Sequence, residues 1–590
     1  MKLKIVLLLI AGALFSCSPK GYNDGYIKYQ QEKLTSDEKQ ILSESLKSQH
    51  QKYDPQIKMV TTTLSGWNYH TDAQSGIFHN VRSSLSYAVL LLDLGDKKYT
   101  QQAFDVIEKT ISLQDQDPES KSCGVWPYFM EEPLSTKKSP IDFNWADFNA
   151  VSLLDVWMGH QDQIPEKLKD KIKQSLILAS KSIQKRNVSP GYTNIAIMGT
   201  NVTYVVSHLF GLQEMEEYAN KRLKMFYDYT LNKGGFSEYN SPTYTFTALD
   251  ELDRMKRHIV EPGAVQIIDK LYYIGWDMIA RHYHQPSGQW AGPHSRSYST
   301  LVKPSFYAII KEGSKGQIDI GTPEKRSDVK IKHIIPENLL HYFQSPVYPR
   351  TETDVFENLN PQIIGTTYLN EKYAFSTASR SSLWNQRRPL LVYWGSVQTP
   401  KYLQVRFLHD DYDFSSASFY SQQKKNKVLA AVNFITNGGD KHISIDPLKE
   451  GQFKAKDLRL RFEFGNVTNS DELLLPATNN EPFTIVLDQL KFNLQLYFAA
   501  FENLKGHWEK GSDGKVSWID FVLYSGAEKD FDLSKINRAA MGFSISIESA
   551  GKNPEIKKAE VSEKEGLMKV NGNGLYLEIP VKPSLDNLNL

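Results

Sequence analysis

The stretch Val81-Arg82-Ser83-Ser84-Leu85-Ser86-Tyr87-Ala88-Val89-Leu90-Leu91-Leu92 decides the fold class of the first half of the chain. Its apolar residues recur at steps of three and four, and Gly95 follows as a helix-ending residue, so it predicts an amphipathic α-helix. The same spacing returns in six further segments: Tyr99 to Leu113, Ala146 to Met158, Pro165 to Ile183, Glu214 to Leu231, Thr245 to His258 and Ala264 to Arg281. Short loops separate them and we find no strand pattern between them, which indicates successive antiparallel hairpins.

Helical hairpins in such number either stack as a solenoid or close into a ring. Solenoids show self-similarity at a fixed period, and we find no fixed-length repeat in the helical half, from Ser36 to about Ile310. We therefore expect an α/α toroid, closed or incomplete, over residues 31–310.

Beyond Thr351 the apolar residues alternate with polar ones, which is the period of a half-buried strand. The alternation is strict in three segments: Leu458 to Phe464, Phe492 to Phe498 and Gly542 to Ile547. Two turns, Asn437 to Asp440 and Gly511 to Gly514, separate strands. The pattern predicts a large antiparallel β-sandwich over residues 351–590, joined to the toroid by a linker of residues 311–350.

The N-terminal segment is typical of an export signal. Lys2 and Lys4 precede a short apolar run that ends at Cys17, and the run is too short to span a membrane. The Cys after small and apolar residues resembles the lipobox of bacterial lipoproteins. That resemblance implies a signal peptide of residues 1–16, lipidation of Cys17, a tether of residues 17–30 and an outer-membrane location; the alternative is an ordinary signal peptide with an incidental Cys. If Cys17 carries lipid, Cys123 has no partner for a disulfide or a Cys-based metal site.

Composition excludes some partners. The 69 Lys and Arg residues against 68 Asp and Glu residues leave a net charge of +1, which does not favour nucleic acid, and an acidic ligand would need a local basic groove. Aromatic residues make up 12% of the chain, as sugar-binding clefts and large cores both require. We expect a monomer without a cofactor.

Two loop stretches concentrate polar side chains beside Gly and Pro: Gly234-Gly235-Phe236-Ser237-Glu238-Tyr239-Asn240-Ser241-Pro242-Thr243-Tyr244 and Ala291-Gly292-Pro293-His294-Ser295-Arg296-Ser297-Tyr298. Other polar clusters fall between the predicted helices: Trp67 to His70, His79 to Arg82, Asn144 to Asn149 and Tyr192 to Asn194. Helix capping or a plain connection explains any single cluster. Their recurrence in successive hairpins favours a shared cleft at one end of the ring.

A helical toroid followed by an antiparallel sandwich resembles the heparinase-like polysaccharide lyases, a family that includes heparinases, some alginate lyases and some ulvan lyases. The resemblance covers nearly the whole mature chain, at the level of architecture. It implies a metal-independent lyase that acts on an acidic, uronic-acid-containing polysaccharide, with an ulvan-type glycan as one candidate. The Asn-His pair that some alginate lyases carry is absent here, so the motifs do not identify the glycan.

Such a lyase removes the proton at C5 of a uronic acid and breaks the bond at C4. The reaction needs a group that neutralises the carboxylate, a base, and an acid for the leaving oxygen. We assign Asn194 as the neutraliser and Tyr244 as the acid, with the base role also open to Tyr244. His294 is assigned as the base and Arg296 as the carboxylate clamp. Rivals remain: Asn201 and Asn240 as neutralisers, and Tyr298 as the tyrosine.

Further residues are expected to bind the substrate: Trp145, Glu238, Tyr239, Asn240, Tyr298, Arg387 and Arg388. Arg380, Arg387 and Arg388 surround Trp384 and would form a basic patch, although a solvated turn explains them equally well. In many relatives the sandwich supplies a His to the cleft, and His409 is the candidate here; a surface His or a zinc ligand are its alternatives.

Two other functions remain open. A hydrolase on the same toroid would need two carboxylates across the cleft, and Asp147 and Glu238 are the available pair. A non-catalytic, glycan-binding surface lipoprotein would use the aromatic and basic side chains only to hold sugar.

Overall fold

A computed structural model describes residues 25–29, 34–324, 328–440, 442, 444–446, 448–468, 470–550 and 559–585. The expected signal peptide and Cys17 lie outside the described residues, so nothing here tests them. Of the expected tether, residues 25–29 are described, and they pack on the helical domain: Ile27 is buried and pairs with Ile259.

The helical half is a double layer of helices. The helices within the described residues are α1 (Ser36–His50), α2 (Val81–Leu94), α3 (Thr100–Ile111), α4 (Asn144–His160), α5 (Glu166–Arg186), α6 (Thr193–Phe210), α7 (Gln213–Lys233), α8 (Tyr244–His258), α9 (Pro262–His282), α10 (Pro304–Gly313) and α11 (His341–Gln344). Helices α2, α4, α6 and α8 pack in succession as an inner layer, and α3, α5, α7 and α9 form the outer layer. This is the expected α/α toroid. No helix among the described residues is both long and apolar enough to cross a membrane.

The seven helices predicted from periodicity are all present, whereas α1, α6, α10 and α11 were not among the predicted segments. The member of these four that belongs to the inner layer is α6. All of its residues from Thr193 to Leu209 are buried. A helix that is buried on every side has no polar face, so its sequence shows no amphipathic period.

The expectation that the helical half contains no strands is wrong. Its described residues include five short strands: β1 (Tyr53–Asp54), β2 (Met59–Ser65), β3 (Ser75–His79), β4 (Tyr283–His284) and β5 (Gln289–Trp290). Three of them are too short or too irregular to alternate visibly, and β2 contains a run of threonines. Strands β1 to β3 form a small sheet and β4 pairs with β5.

The segment expected as a linker, residues 311–350, packs against the helical core. Ile318, Ile335 and Phe343 are buried members of that core. Lys330 Nζ lies 2.5 Å from the Asp93 carboxylate of α2, and His333 Nε2 lies 2.9 Å from the Asp250 carboxylate of α8. Through these two ion pairs the segment contacts both the first and the last helix of the inner layer, α2 and α8.

The second half is the predicted β-sandwich. Its strands are β6 (Arg350–Glu357), β7 (Ile363–Leu369), β8 (Tyr373–Ala378), β9 (Arg380–Ser382), β10 (Leu390–Gly395), β11 (Pro400–His409), β12 (Tyr412–Asp413), β13 (Ala417–Lys424), β14 (Lys427–Phe434), β15 (Gln452–Gly465), β16 (Phe483–Leu487), β17 (Leu490–Phe501), β18 (His507–Ser512), β19 (Val516–Asp532), β20 (Ala539–Ser549), β21 (Glu560–Lys564), β22 (Leu567–Gly572) and β23 (Leu575–Pro580). The three segments with strict alternation lie in β15, β17 and β20.

Within the described residues, the sandwich has one sheet in the order β18-β19-β15-β11-β10-β8-β7-β6, with β12 beside β11, and a second in the order β16-β17-β20-β14-β13-β9. All pairings are antiparallel, for example Phe462 with Ile519. The apolar faces of both sheets share one core, which contains Val392 and Phe462 from one sheet and Phe492 and Ile545 from the other.

Candidate active site

The polar clusters predicted from the sequence gather at one end of the ring. Each inner helix is separated from the next by one outer helix, so α2, α4, α6 and α8 run in the same direction and begin at the same end. Asn80 caps α2 by accepting a hydrogen bond from the Ser83 amide at 2.8 Å, Asn194 is the second residue of α6, and Tyr244 is the first residue of α8. Helix N-termini favour negative charge, so this end suits an anionic ligand.

Tyr244 lies in a hydrogen-bonded group with Glu238, Arg296 and Tyr298, which we call the Tyr244 cluster. The hydroxyl oxygens of Tyr244 and Tyr298 are 2.7 Å apart. Arg296 Nη2 donates to the Tyr244 hydroxyl at 2.9 Å, and Arg296 Nη1 donates to Glu238 Oε1 at 3.3 Å. Two loop stretches that are more than fifty residues apart thus meet around one phenol oxygen.

Burial and the charge of Arg296 have opposite effects on the pKa values of Tyr244 and Glu238. Burial and the hydrogen bond with Tyr298 raise the pKa of Tyr244, whereas the Arg296 guanidinium lowers it. Burial raises the pKa of Glu238 to about 7, and Arg296 again acts in the opposite direction. Arg296 therefore stabilises the deprotonated form of both neighbours.

The sandwich forms the facing wall of this cluster. Arg296 Nε donates to Gln386 Oε1 at 2.8 Å, and its guanidinium carbon lies 4.9 Å from the centre of the Trp384 ring. The His442 ring lies 4.9 Å from the same Trp384 ring. Burial and the charge of Arg296 lower the pKa of His442, so its imidazole is neutral at pH 7.

His442 is the candidate site residue that sequence reasoning missed. It follows the turn Asn437 to Asp440, which was interpreted only as a connection between strands. The predicted His409 is engaged elsewhere: Nε2 lies 2.7 Å from the Lys454 carbonyl oxygen, and Nδ1 contacts Asp446. A His inside the sandwich half does contribute to this wall, but the sequence did not indicate which one.

Asn240 and His294 form a second cluster with Trp290, entirely inside the protein, which we call the Asn240 cluster. The Asn240 amide nitrogen donates to the carbonyls of Ala291 and Pro293, both at 2.9 Å, and its oxygen accepts from Trp290 Nε1 at 2.5 Å. His294 Nδ1 lies 2.6 Å from the Asn240 carbonyl, to which it donates.

The roles predicted for Asn240 and His294 do not fit these positions. Asn240 is 1% exposed and His294 is 2% exposed, and the amide of Asn240 is fully used by the loop. Burial lowers the pKa of His294 to about 3, and its free Nε2 is enclosed by protein. A sugar proton cannot reach that atom, so His294 holds the loop and is not the base.

Asn194 and Asn201 lie on the buried helix α6. The side-chain amide oxygens of both residues have no hydrogen-bond partner among the described residues. Asn194 is 8% exposed, whereas Asn201 is 1% exposed and lies two turns further along the helix. Of the two, Asn194 is the one at the mouth of the ring.

Three of the residues expected to bind substrate are engaged within the protein. Tyr239 is buried and stacks on Phe356 with ring centres 4.2 Å apart. Arg388 Nη1 donates to the carbonyl oxygen of Asn385 at 2.7 Å, and Arg387 Nη2 lies 3.2 Å from Asp440 Oδ2. These contacts stabilise the Trp384 loop. Arg380 likewise donates to a backbone carbonyl, that of Pro361.

The carboxylate pair of a hydrolase is not available. Asp147 is 2% exposed, and Arg186 Nη1, its ion-pair partner, lies 3.8 Å away. Burial raises the pKa of Asp147 to about 7. Only Glu238 of the proposed pair lies in the open cluster.

Aromatic rings line the mouth beside the Tyr244 cluster. Trp67, Tyr69, Tyr192 and Tyr298 are all exposed. Burial raises the pKa of Tyr69, and the charge of Asp142 and the phenols of Tyr192 and Tyr298 act in the same direction. The predicted polar stretches contact one another here: the ring centres of His70 and Trp145 are 5.0 Å apart, and the Asn144 amide nitrogen donates to the Tyr192 hydroxyl at 3.2 Å.

The fold and this cleft define an α/α toroid with a C-terminal antiparallel sandwich. A family model described as a domain of unknown function (DUF8769) matches residues 39–317. No curated protein matches the sequence.

Solved structures with similarity to the whole chain include polysaccharide lyases. A heparinase III structure is 10% identical with a TM-score of 0.46, covering 93% of this chain and 91% of that chain. A chondroitin AC lyase from Streptomyces coelicolor A3, in complex with chondroitin sulphate, is 8% identical with a TM-score of 0.44, covering 93% and 86%. An endoglucanase CelQ from Clostridium thermocellum is 11% identical with a TM-score of 0.22, covering 80% and 71%.

Proposed function

We propose that the protein is a polysaccharide lyase that cleaves a uronic-acid-containing polysaccharide by β-elimination. The observation that carries this proposal is the Tyr244 hydroxyl, which lies 2.7 Å from the Tyr298 hydroxyl and 2.9 Å from Arg296 Nη2 at the mouth of the ring. A phenol held by a cation and a second phenol can lose and regain a proton without leaving its place.

In the proposed reaction Tyr244 is both base and acid, because the buried His294 cannot be the base. The Tyr244 phenolate takes the C5 proton, the C5–H electron pair becomes the C4–C5 double bond, and the C4–O4 bond breaks. Tyr244 then delivers the same proton to O4. Burial raises the pKa of Tyr244, so the phenolate is the minor form at neutral pH and the rate should increase with pH.

Two side chains on opposite walls are proposed to neutralise the uronate carboxylate. Asn194 has an amide oxygen without a partner, and its amide can turn to donate to the carboxylate. The Ser444 amide donates to His442 Nδ1 at 3.1 Å, so in the neutral ring the proton lies on Nε2, which can donate to the second carboxylate oxygen.

Arg296 is proposed to act on Tyr244 more than on the substrate. It already donates to Tyr244, Glu238 and Gln386, and a phenolate on Tyr244 would accept a charge-assisted hydrogen bond from it. The carboxylate clamp expected from the sequence thus becomes a stabiliser of the reacting phenol.

One assay tests the proposal. The full-length protein is incubated with heparan sulfate, chondroitin sulfate, alginate, ulvan and an uncharged glucan, and the ultraviolet absorbance of a C4–C5 double bond is followed. We expect absorbance with at least one uronic-acid polysaccharide and none with the glucan. New reducing ends without that absorbance would contradict the lyase and support a hydrolase. Binding without cleavage would support a glycan-binding protein.

The cellular location is proposed from the sequence alone. Cys17 and the apolar run before it support an exported lipoprotein in the outer membrane. Incorporation of labelled palmitate into the expressed protein, and its loss in Cys17→Ala, would test this.

A further inference from the structure

A cavity opens beside the cleft, between β2 and the start of α2. Its volume is about 750 Å³, and its walls include Lys52, Arg82, Tyr128 and Trp145. This volume falls within the range of about 300–1,000 Å³ that ligand pockets occupy. A second cavity of about 280 Å³ lies between α1, α2, α4, α6 and α8, and Arg82 lines both. Arg82 therefore stands where the two cavities meet.

The guanidinium of Arg82 has no acidic or carbonyl partner in the described part of the chain. Among the described residues it forms no hydrogen bond or ion pair, and its guanidinium carbon lies 4.2 Å above the Phe148 ring. The residue is exposed, yet burial lowers the pKa of its guanidinium, against the effect of Glu251. Both observations hold because the side chain extends into a deep cavity and is surrounded by protein on its other sides.

The other two cations that line the smaller cavity, Arg254 and Lys330, have acidic partners. Arg254 Nη1 lies 2.9 Å from Asp155 Oδ2, and Lys330 Nζ lies 2.5 Å from Asp93 Oδ1. These pairs complete the ring and leave little charge for a ligand. Arg82 differs from them, because its five N–H donors face the cavity and the Phe148 ring without an acceptor.

Aromatic rings connect this cavity with the mouth of the ring. The ring centres of Tyr69 and His70 are 3.8 Å apart, and those of His70 and Trp145 are 5.0 Å apart. Tyr128 lies 5.0 Å from Trp145. Tyr69 is exposed, whereas Trp145 is buried and lines the cavity. The apolar faces of successive sugar rings could pack along this path.

We propose that Arg82 is a substrate-recognition residue that binds the carboxylate or sulfate group of a sugar distant from the cleaved bond. This inference rests on the proposed function. The planar guanidinium matches either anion with two parallel hydrogen bonds, and the Phe148 ring holds it in position by a cation–π contact. The substrate would then be an oligosaccharide with acidic groups on several sugars. It would extend from the Tyr244 cluster into the cavity that Arg82 lines.

Binding of oligosaccharides of two lengths tests Arg82. Dissociation constants are measured by isothermal titration calorimetry for a disaccharide and a hexasaccharide of the polysaccharide that the panel identifies, or of unsulfated chondroitin if none is cleaved. All proteins carry Tyr244→Phe, which prevents turnover. In that background, Arg82→Gln should weaken hexasaccharide binding at least about tenfold and change disaccharide binding less than about twofold. Arg82→Lys should have an intermediate effect, because it keeps the charge and loses the planar donors.

Lys167→Gln is the matched control, since it removes one positive charge from an exposed position on the outer helix α5. In the Tyr244→Phe background, this variant should bind the disaccharide and the hexasaccharide with the same dissociation constants as the Tyr244→Phe protein. Thermal unfolding of each variant checks the fold, and Arg82→Lys serves as the test if Arg82→Gln does not fold. Carboxyl-reduced and desulfated hexasaccharides distinguish the two anions, because only removal of the true ligand group cancels the effect of Arg82→Gln.

Two results would overturn the inference: unchanged hexasaccharide binding by Arg82→Gln, or an equal loss for both lengths. These results are separable from failure of the proposed function. Length-dependent binding through Arg82 without any double-bond product would contradict the lyase and leave this anion site standing. Lyase activity of the unmutated protein with no length-dependent effect of Arg82→Gln would contradict only the site.

Discussion

The stretches Gly234 to Tyr244 and Ala291 to Tyr298 each contribute to two clusters that differ in what their polar atoms face. In the Asn240 cluster the amide of Asn240 is saturated by Trp290 and the loop carbonyls. In the Tyr244 cluster the phenol contacts Arg296 and Tyr298, and Tyr298 is 56% exposed.

The difference teaches that residue type alone does not identify a reactive group. Asn240 and His294 are residues that could neutralise a carboxylate or accept a proton, but the fold uses them to hold two loops together. A side chain is available for chemistry when it retains hydrogen-bonding capacity and an accessible surface. Buried polar groups are nearly always satisfied by the protein itself.

The largest effect is expected for Tyr244→Phe in the open cluster. Removal of the hydroxyl should reduce kcat/KM about 1,000-fold, within the range for loss of a proton-transfer group, while substrate affinity changes little. Double-bond absorbance and calorimetric binding measure the two quantities. The matched control is Tyr239→Phe, whose ring packs on Phe356 away from the cleft, and it should keep its activity. Normal turnover by Tyr244→Phe would remove the central assignment.

In the buried cluster, Asn240→Ala should change stability. Three side-chain hydrogen bonds are lost and two buried carbonyls are left without a donor, so the free energy of unfolding should fall by about 3 kcal/mol. Urea denaturation measures it. Asn194→Ala is the comparison, because the Asn194 amide oxygen has no partner. Its free energy of unfolding should fall by less than about 1 kcal/mol, whereas most of the enzyme activity should be lost. Equal destabilisation by the two substitutions would contradict the distinction between the clusters.

His294 should make the protein sensitive to acid. Burial lowers the pKa of His294 to about 3, below its value of about 6.5 in the unfolded chain. The unfolded state therefore binds the extra proton first, and the stability from neutral His294 is present above pH 6.5 and lost as the pH falls towards 3. At pH 5.5 the loss should be about 1.4 kcal/mol.

The acid dependence is measured by urea denaturation between pH 7.5 and 5, values chosen to span the unfolded-state pKa of about 6.5. His294→Asn keeps a donor near the position of Nδ1 and cannot titrate, so its unfolding free energy should change less over this interval. An identical pH dependence in both proteins would show that His294 does not carry the effect.

The smallest effect is expected for Glu238→Gln. Glu238 contacts Arg296 at 3.3 Å and is proposed only to balance its charge, so the substitution should change kcat/KM by less than about tenfold. A catalytic carboxylate would lose about 100- to 10,000-fold. The same absorbance assay, together with a reducing-end assay, measures the change. A loss of the larger size would favour the hydrolase.

The sequence by itself determined the two halves, because periods of 3.6 and 2 record which faces are buried. It also identified the two loop stretches, since Tyr, His and Arg beside Gly and Pro are uncommon in plain connections. Three features were not recoverable from these patterns. Helix α6 is buried all round, three strands of the helical half have only two residues each, and His442 follows a turn whose residues only indicate a reversal of the chain.

The tertiary structure decided which polar residues remain accessible to a ligand. Glu238 and Asn240 are two positions apart, as are His294 and Arg296, yet one member of each pair lies in the Tyr244 cluster and the other in the Asn240 cluster. Whether each of these side chains is buried or accessible depends on contacts with residues more than fifty positions away in sequence, such as Asn240 with Pro293 and Arg296 with Tyr244. Local sequence specifies a loop and its residue types, but exposure and hydrogen-bond saturation are set by whatever the fold packs against that loop.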